Sequence, residues 1–124
     1  MLFTQTPATP YYAVIFTSKR TNVEQKEYAA AAQKMEELAK ELDGFLGIES
    51  VRDEQGVGIT VSYWNSLAAI KEWKAHTAHQ RVQKKGKKDW YEAYTTRICK
   101  VEHAYTNEDS LLEQEADKCE KTAL

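Results

Sequence analysis

The chain has 124 residues, of which 42% are hydrophobic and 29% charged, and its formal net charge is −2 at pH 7. This length and composition predict a single globular domain rather than a disordered chain. The small negative charge gives no reason to expect a nucleic-acid partner. The N-terminus lacks the charged and apolar regions of a secretion signal, and no run approaches the roughly 18 apolar residues of a membrane helix. We therefore expect a cytoplasmic protein with no membrane partner.

The hydrophobic pattern predicts four strands and two long helices. Clusters of β-branched and aromatic residues favour strands, and apolar residues at 3.6-residue spacing favour helices. The predicted elements are an irregular lead-in over 1–10, a strand over 11–18, a helix over 24–42, strands over 45–52 and 57–63, a helix over about 67–83, a strand over 92–105, and an acidic tail over 106–124 that resembles a short amphipathic helix. Residues 11–105 thus form the predicted domain.

Polar residues and glycines predict the ends of the two helices. Asn22 is placed to cap the first helix, and Gly44 is placed to stop it. Either Asn65 or Ser66 is placed to cap the second helix, directly after a strand. Helix caps of this kind use a side-chain oxygen to accept a hydrogen bond from a backbone N–H of the first turn.

The order strand, helix, hairpin, helix, strand indicates a fold class. It predicts an α+β protein with a ferredoxin-like βαββαβ arrangement around one antiparallel sheet. The two helices would cover one face of this sheet. The other face carries apolar side chains that should not remain in water. A second copy of the chain is the simplest cover, so we expect a homodimer.

The segment from 58 to 83 has the densest content of tryptophan and histidine in the chain, with Trp64, Trp73, His76 and His79. On one continuous helix, Trp73 and His76 would lie along the same stripe, with His79 beside it. A neutral imidazole there could bind haem iron or act as a base. Two histidines alone are too few for a metal-ion site, so surface and packing roles remain as alternatives.

Several motifs of other enzyme classes are missing from the sequence. It contains no glycine-rich phosphate loop, no nucleophile elbow and no CxxC pair. Flavin, nucleotide and zinc chemistry are therefore unsupported.

The chain resembles the antibiotic biosynthesis monooxygenase superfamily, the dimeric α+β barrels, over roughly residues 11–105. The resemblance rests on four segments, which are GFLGIES (44–50), SYWNSLAAIKEW (62–73), KAHTAHQ (74–80) and WYEAYTTRICKVEHAY (90–105). It implies two subunits that pair their sheets, each with a pocket between its sheet and its helices. Members of the superfamily include oxygenases that act on polycyclic phenols without a cofactor, and haem-degrading enzymes.

The resemblance to the haem-degrading branch is partial. That branch uses an asparagine on the first strand, a tryptophan on the second helix, and an iron-binding histidine ten residues after the tryptophan. Trp73 matches the tryptophan, but Gln83 stands at the histidine position, and apolar residues stand where the asparagine would be. His79 is the favoured substitute ligand because it lies nearer to that position than His76.

These observations lead to a predicted site and function. The catalytic candidates are His79, Trp73 and His76, with His79 or His76 a metal ligand only toward haem iron. The substrate-binding candidates are Phe16, Trp64, Asn65, Gln83 and Arg97. Packing for Trp64, capping for Asn65, and an ion pair with Glu49 or Glu102 for Arg97 are the alternatives. The predicted function is a monooxygenase that acts on a flat hydrophobic substrate, with haem degradation a leading version. It would need no cofactor, or would take haem as substrate or cofactor. The alternative is a non-catalytic dimer that binds haem or a small ligand.

Overall fold

A computed structural model describes residues 2–108 of the chain. Its elements, in chain order, are β1 (Tyr11–Arg20), α1 (Gln25–Lys40), β2 (Phe45–Arg52), β3 (Val57–Trp64), α2 (Leu67–Ala75), α3 (Thr77–Lys85), a π-helical turn (Gly86–Trp90) and β4 (Tyr91–Val101). The helix predicted in the acidic tail falls mostly on residues 109–124, which lie outside the described residues. None of the helices within residues 2–108 is long and apolar enough to cross a membrane.

The four strands form one sheet in the order β2-β3-β1-β4, and each neighbouring pair is antiparallel. The two strands of the β2–β3 hairpin are adjacent, and β1 lies between β3 and β4. This is the order of the ferredoxin-like split βαβ motif, so the predicted α+β fold is confirmed.

The last strand ends four residues earlier than predicted. β4 pairs with β1, and the last partners in this ladder are Tyr11 and Val101. Pro10 precedes Tyr11 and has no backbone N–H to donate, so β1 offers no continuing partner beyond this point. The prediction of a strand to residue 105 was therefore wrong at its C-terminal end.

The ends of α1 differ from those predicted. Asn22 does not cap the helix; the N-cap is Glu24, which has a φ of 53° and makes no side-chain capping bond. The Glu24 carboxylate instead accepts from the indole of Trp90 at 3.3 Å and pairs with Lys85 at 3.1 Å. The Glu24 side chain thus makes tertiary contacts instead of a capping hydrogen bond to α1.

Gly44 lies beyond the end of α1 and serves a different purpose from the predicted helix stop. A Cβ atom built on Gly44 would lie 2.2 Å from the Cβ of Ala69. The absence of a side chain therefore lets the start of β2 pack against α2. The backbone N–H of Asn65 donates to the Gly44 carbonyl at 2.9 Å, which fixes this approach.

The single helix predicted over 67–83 is two helices. His76 separates α2 from α3 with an extended backbone conformation, φ −62° and ψ 132°. Its carbonyl accepts from Gln80 N, so it also opens α3. The residues after Ala75 are mostly polar, and an amphipathic face that packs is what stabilises helices of this length. The helical stripe predicted to join Trp73 with His76 and His79 therefore does not continue across the break.

The core lies where the start of α2 meets the sheet. Trp64 is fully buried and Ile70 is 2% exposed, and Ala39 and Ala69 complete the buried cluster. Ser66, rather than Asn65, caps α2, because its hydroxyl accepts from Ala69 N at 3.1 Å.

The face of the sheet that points away from the helices, here called the open face, carries apolar side chains. Val51 is opposite Ile59 across the β2–β3 ladder, and the two are 78% and 48% exposed. The lead-in packs beside β2, where Thr4 N donates to the Glu49 carboxylate at 3.1 Å. The Thr4 hydroxyl also donates to the Ile48 carbonyl.

Candidate functional site

A cavity of about 740 Å³ lies between the sheet and the helices. Its sheet side is made by alternate residues of the four strands, which is the side opposite the open face. The strand residues that line it are Val14, Phe16, Phe45, Ile48, Ser50, Arg52, Thr60, Ser62, Trp64, Tyr91, Tyr94, Thr96 and Ile98. The residues of the helices and of the π-helical turn that line it are Tyr28, Ala32, Gln33, Met35, Glu36, Ala39, Ile70, Trp73, Lys74, His79, Val82, Gln83, Lys87 and Trp90.

One end of the cavity is aromatic. The indole rings of Trp64 and Trp73 have centroids 6.0 Å apart, with an angle of 30° between their planes. His79 meets Trp73 edge-on, with centroids 4.7 Å apart and planes at 74°. The break between α2 and α3 allows this contact, because α3 starts anew after His76 and places His79 beside Trp73.

The His79 imidazole is half-buried and is held neutral. Its pKa is lowered to about 4, mainly by burial and in addition by the nearby charges of Lys74 and His76. Its Nδ1 is inaccessible to solvent and has no hydrogen-bond partner among residues 2–108. A buried polar atom without a hydrogen-bond partner is energetically costly.

The other end of the cavity carries two tyrosine hydroxyls and an arginine. The Tyr91 hydroxyl donates to the Tyr28 hydroxyl at 3.0 Å, and Arg52 Nη2 donates to the same Tyr28 oxygen at 3.4 Å. Behind them, the guanidinium of Arg20 stacks over the Tyr28 ring, 3.8 Å from its centroid. Burial and the hydrogen bond with Tyr28 raise the pKa of Tyr91, so its phenol stays protonated. We call this group, Tyr28, Arg52 and Tyr91, the polar end.

The structure brings together five of the eight residues predicted for the site. Phe16, Trp64, Trp73, His79 and Gln83 all line the cavity. Their roles in catalysis or binding stay predictions. Trp64 also carries the packing role that was its alternative, since it is the most buried side chain of the core.

The remaining three predicted residues do not line the cavity. His76 is exposed at the junction of α2 and α3, with its ring 6.2 Å from that of Trp73. Asn65 is exposed just before the Ser66 cap. Arg97 pairs with Ile15, whose side chain is on the open face, because side chains alternate along a strand.

The sequence analysis did not single out Arg52 or Tyr28 of the polar end, although it placed them in the strand over 45–52 and the helix over 24–42. The signal for Arg52 was its place in the alternation of Ile48, Ser50 and Arg52, which puts all three on one face of β2. The Oγ atoms of Ser50 and Thr60 are 2.7 Å apart across β2 and β3, which confirms that the two residues share this face.

The donor set of the cavity does not favour a bare metal ion. Within residues 2–108, no group of three or more histidine, cysteine, aspartate or glutamate side chains is arranged to hold one.

Most of the residues that line the cavity lie within a recognisable family domain. Residues 12–85 match the family model described as antibiotic biosynthesis monooxygenase. The chain belongs to this family. It is also 49% identical over 98 residues to the uncharacterized protein YqjZ of Bacillus subtilis, an alignment that covers 79% of this chain and 85% of YqjZ.

Solved structures show the same fold at low sequence identity. Protein SO0527 from Shewanella oneidensis has a TM-score of 0.68 and 13% identity, over 78% of this chain and 96% of that protein. Rv0793 from Mycobacterium tuberculosis has a TM-score of 0.63 and 14% identity, over 82% of this chain and all of that protein. Family membership favours a monooxygenase and leaves the substrate open.

Proposed function

We propose that the protein is an oxygenase that binds a flat, hydrophobic, electron-rich molecule in the cavity and holds it for reaction with O2. The observation that carries this proposal is the pairing of His79 with Trp73 inside a cavity of about 740 Å³. That volume is typical of small-molecule sites, and the aromatic lining suits a flat ligand. The His79 imidazole lines the cavity and gives it a neutral base that a phenol can address.

The chemistry needs no protein-bound flavin or metal when the substrate itself supplies the electrons. For a polycyclic phenol with a reactive ring CH2, both C–H bonds break and a C=O bond forms with one atom of O2. The other oxygen atom leaves as water. The four electrons that O2 accepts come from the ring carbon.

His79 would take the first proton from such a substrate. A neutral imidazole is the form that accepts a proton, and burial keeps His79 neutral. The pKa of about 4 is that of the ring with no substrate bound. An anion formed next to the ring favours the imidazolium and raises that pKa, which helps the transfer.

Haem is the second candidate for the flat molecule, and here it would be the substrate. The partial resemblance to the haem-degrading branch suggests it, and the neutral His79 imidazole that lines the cavity is of a type that binds haem iron. His76 is a poorer candidate because it does not line the cavity. A protein that only binds haem or another flat molecule, without turnover, is the non-catalytic alternative.

We further propose that the protein works as a homodimer. Two observations support this: the exposed apolar side chains of Val51 and Ile59, and the family fold. A second copy that covers the open face would remove this apolar surface from water.

Two measurements on the purified protein test the proposed function. In the first, 1,8-dihydroxyanthrone is added under 18O2, and the quinone product is analysed by mass spectrometry. An oxygenase gives enzyme-dependent O2 uptake and one 18O atom in each product molecule. In the second, haemin is titrated into the protein and its Soret absorbance is followed. A saturable shifted band would show that haem binds. Bleaching of that band on addition of a reductant in air would identify haem as the substrate.

The remaining outcomes are also decisive. Saturable binding without turnover in either assay would favour the non-catalytic alternative. Absence of binding to both molecules would contradict the proposal.

A further inference from the structure

The polar end of the cavity holds a positive charge whose partners are all neutral. Arg52 donates to the Ser18 hydroxyl at 2.9 Å, to the backbone carbonyls of Ser18 and Gly56, and to the Tyr28 hydroxyl. None of the ion pairs found among residues 2–108 involves Arg52 or Arg20. Because both guanidiniums lie at or behind this end, it is a region of positive potential.

The charged side chains that line the cavity are mostly cationic. The lining contains three cationic side chains, Arg52, Lys74 and Lys87, and one carboxylate, Glu36. A purely apolar ligand would gain nothing from this arrangement, whereas an anionic one would.

The Tyr28 hydroxyl has a proton to offer. Its oxygen accepts from Tyr91 and from Arg52, and no acceptor for its own proton is found among residues 2–108. The bond from Arg52 is also long, at 3.4 Å, so a stronger acceptor could replace it. A carboxylate oxygen would accept from both the Tyr28 hydroxyl and Arg52 Nη2, and such charge-assisted bonds are stronger than neutral ones.

An aromatic surface adjoins the polar end. The Phe16 ring lies 5.2 Å from that of Tyr91 and 5.7 Å from that of Tyr94, measured between centroids. The polar end is at the Gly58 end of β3, and the Trp73 contact is at Trp64, six residues along the strand or about 20 Å away. The cavity therefore offers apolar surface along its length, on which fused rings can lie. At one end it offers a place for the acidic group of the same ligand.

We propose that Tyr28, Arg52 and Tyr91 form an anion subsite that binds the carboxylate of a flat aromatic acid. This inference rests on the proposed function, because it assigns the substrate class of the same cavity. The acid group would be held at the polar end by Arg52 and the Tyr28 proton. The fused rings would then extend past Phe16 toward Trp73, where oxygenation is proposed to take place.

A matched pair of probes tests the subsite without any need for turnover. 2-Naphthoate and 2-naphthamide share one flat ring system and differ in the charge of one group. Calorimetric titration at pH 7 gives a Kd for each. We expect the acid to bind about 10- to 100-fold tighter than the amide, the range of a hydrogen bond to a charged group.

Variants identify the residues responsible. Arg52→Gln should remove the preference for the acid and leave the Kd of the amide within twofold, and Arg52→Lys should restore part of it. Arg81→Gln is the matched control, since Arg81 is exposed and does not line the cavity. If Arg52→Gln does not fold, Tyr28→Phe serves instead. It retains the ring on which Arg20 stacks and should weaken acid binding about 5- to 10-fold through loss of one hydroxyl.

The outcomes separate the subsite from the wider proposal. Equal affinity of the wild-type protein for acid and amide would overturn the subsite and leave the aromatic site in place. An acid preference that Arg81→Gln abolishes, and Arg52→Gln does not, would also overturn it. Failure of both probes to bind at millimolar concentration would overturn the subsite and the proposed flat-ligand site together.

Discussion

The His79 imidazole and the Trp73 indole form a T-shaped contact, with 4.7 Å between their centroids. The two residues belong to different helices, and the extended backbone of His76 is what allows the second helix to place His79 there. The contact joins the most reactive neutral side chain of the cavity to its flat aromatic wall. It is therefore the first place to test for function.

Replacement of His79 by alanine should remove turnover. If His79 accepts the first substrate proton, His79→Ala is expected to lower kcat about 100-fold or more, because general-base catalysis contributes about that much. The measurement is O2 uptake with the polycyclic phenol at saturating concentration. His76→Ala is the control, since His76 is exposed and outside the cavity lining. Full activity in His79→Ala would contradict the assignment.

Stability should fall in mild acid because of His79. Its pKa is about 4 in the folded protein and 6.5 in an ordinary environment, so the unfolded chain binds more protons between these values. The free energy of unfolding is therefore expected to rise with pH over this window and to fall as the pH drops from 6.5 toward 4. After allowance for solvent screening at a half-exposed ring, the change from this group is about 1–2 kcal/mol.

Urea unfolding at pH 4.5 and pH 7 measures this effect. His79→Phe carries no titrating group at the position, so its difference between the two pH values should be smaller than that of the wild type. An unchanged difference would assign the acid sensitivity to other groups.

Gly44 should not tolerate a side chain. In Gly44→Ala the new methyl group would lie 2.2 Å from the Ala69 Cβ, so the chain must shift, at a cost of about 1–3 kcal/mol. In the double variant, Ala69→Gly removes that clash and should recover part of the lost free energy of unfolding. Urea unfolding of the two single variants and the double variant gives the coupling between the sites. Additive effects would show that the two positions do not meet.

Charge on the open face should break the proposed dimer. Ile59→Asp places a carboxylate among apolar side chains that a partner would bury, and burial of an unpaired charge is strongly unfavourable. Light scattering after size-exclusion chromatography is expected to give a monomer mass for this variant and a dimer mass for the wild type. Leu67→Asp, at a 55% exposed apolar residue on α2, should remain a dimer. A wild-type monomer would contradict the proposal.

The sequence predicted the strands well because their signal is local. Clusters of β-branched and aromatic residues placed β1, β2 and β3 within two residues of their observed ends. The break at His76 was missed, because residues 67–83 contain no proline or glycine, the residues that signal a break in a helix. The break places His79 beside Trp73, and this is a tertiary contact that local sequence signals do not report.

The site was predicted only in part, because residue type can be read from the sequence and the register of the sheet cannot. His79, Trp73 and Phe16 have residue types that draw attention and lie where a pocket was expected. Arg97 and Arg52 could not be ranked from sequence, since both are arginines on strands. The register of the sheet decides between them: it turns Arg97 to the open face and Arg52 into the cavity.

The contact of the lead-in with β2 has a consequence for solubility. β2 is an outer strand of the sheet, and its free backbone groups would otherwise be available to the strand of another molecule. Thr4 occupies part of that edge through its bonds to Ile48 and Glu49. The lead-in, which has no regular structure, thus covers part of the β2 edge and disfavours edge-to-edge aggregation.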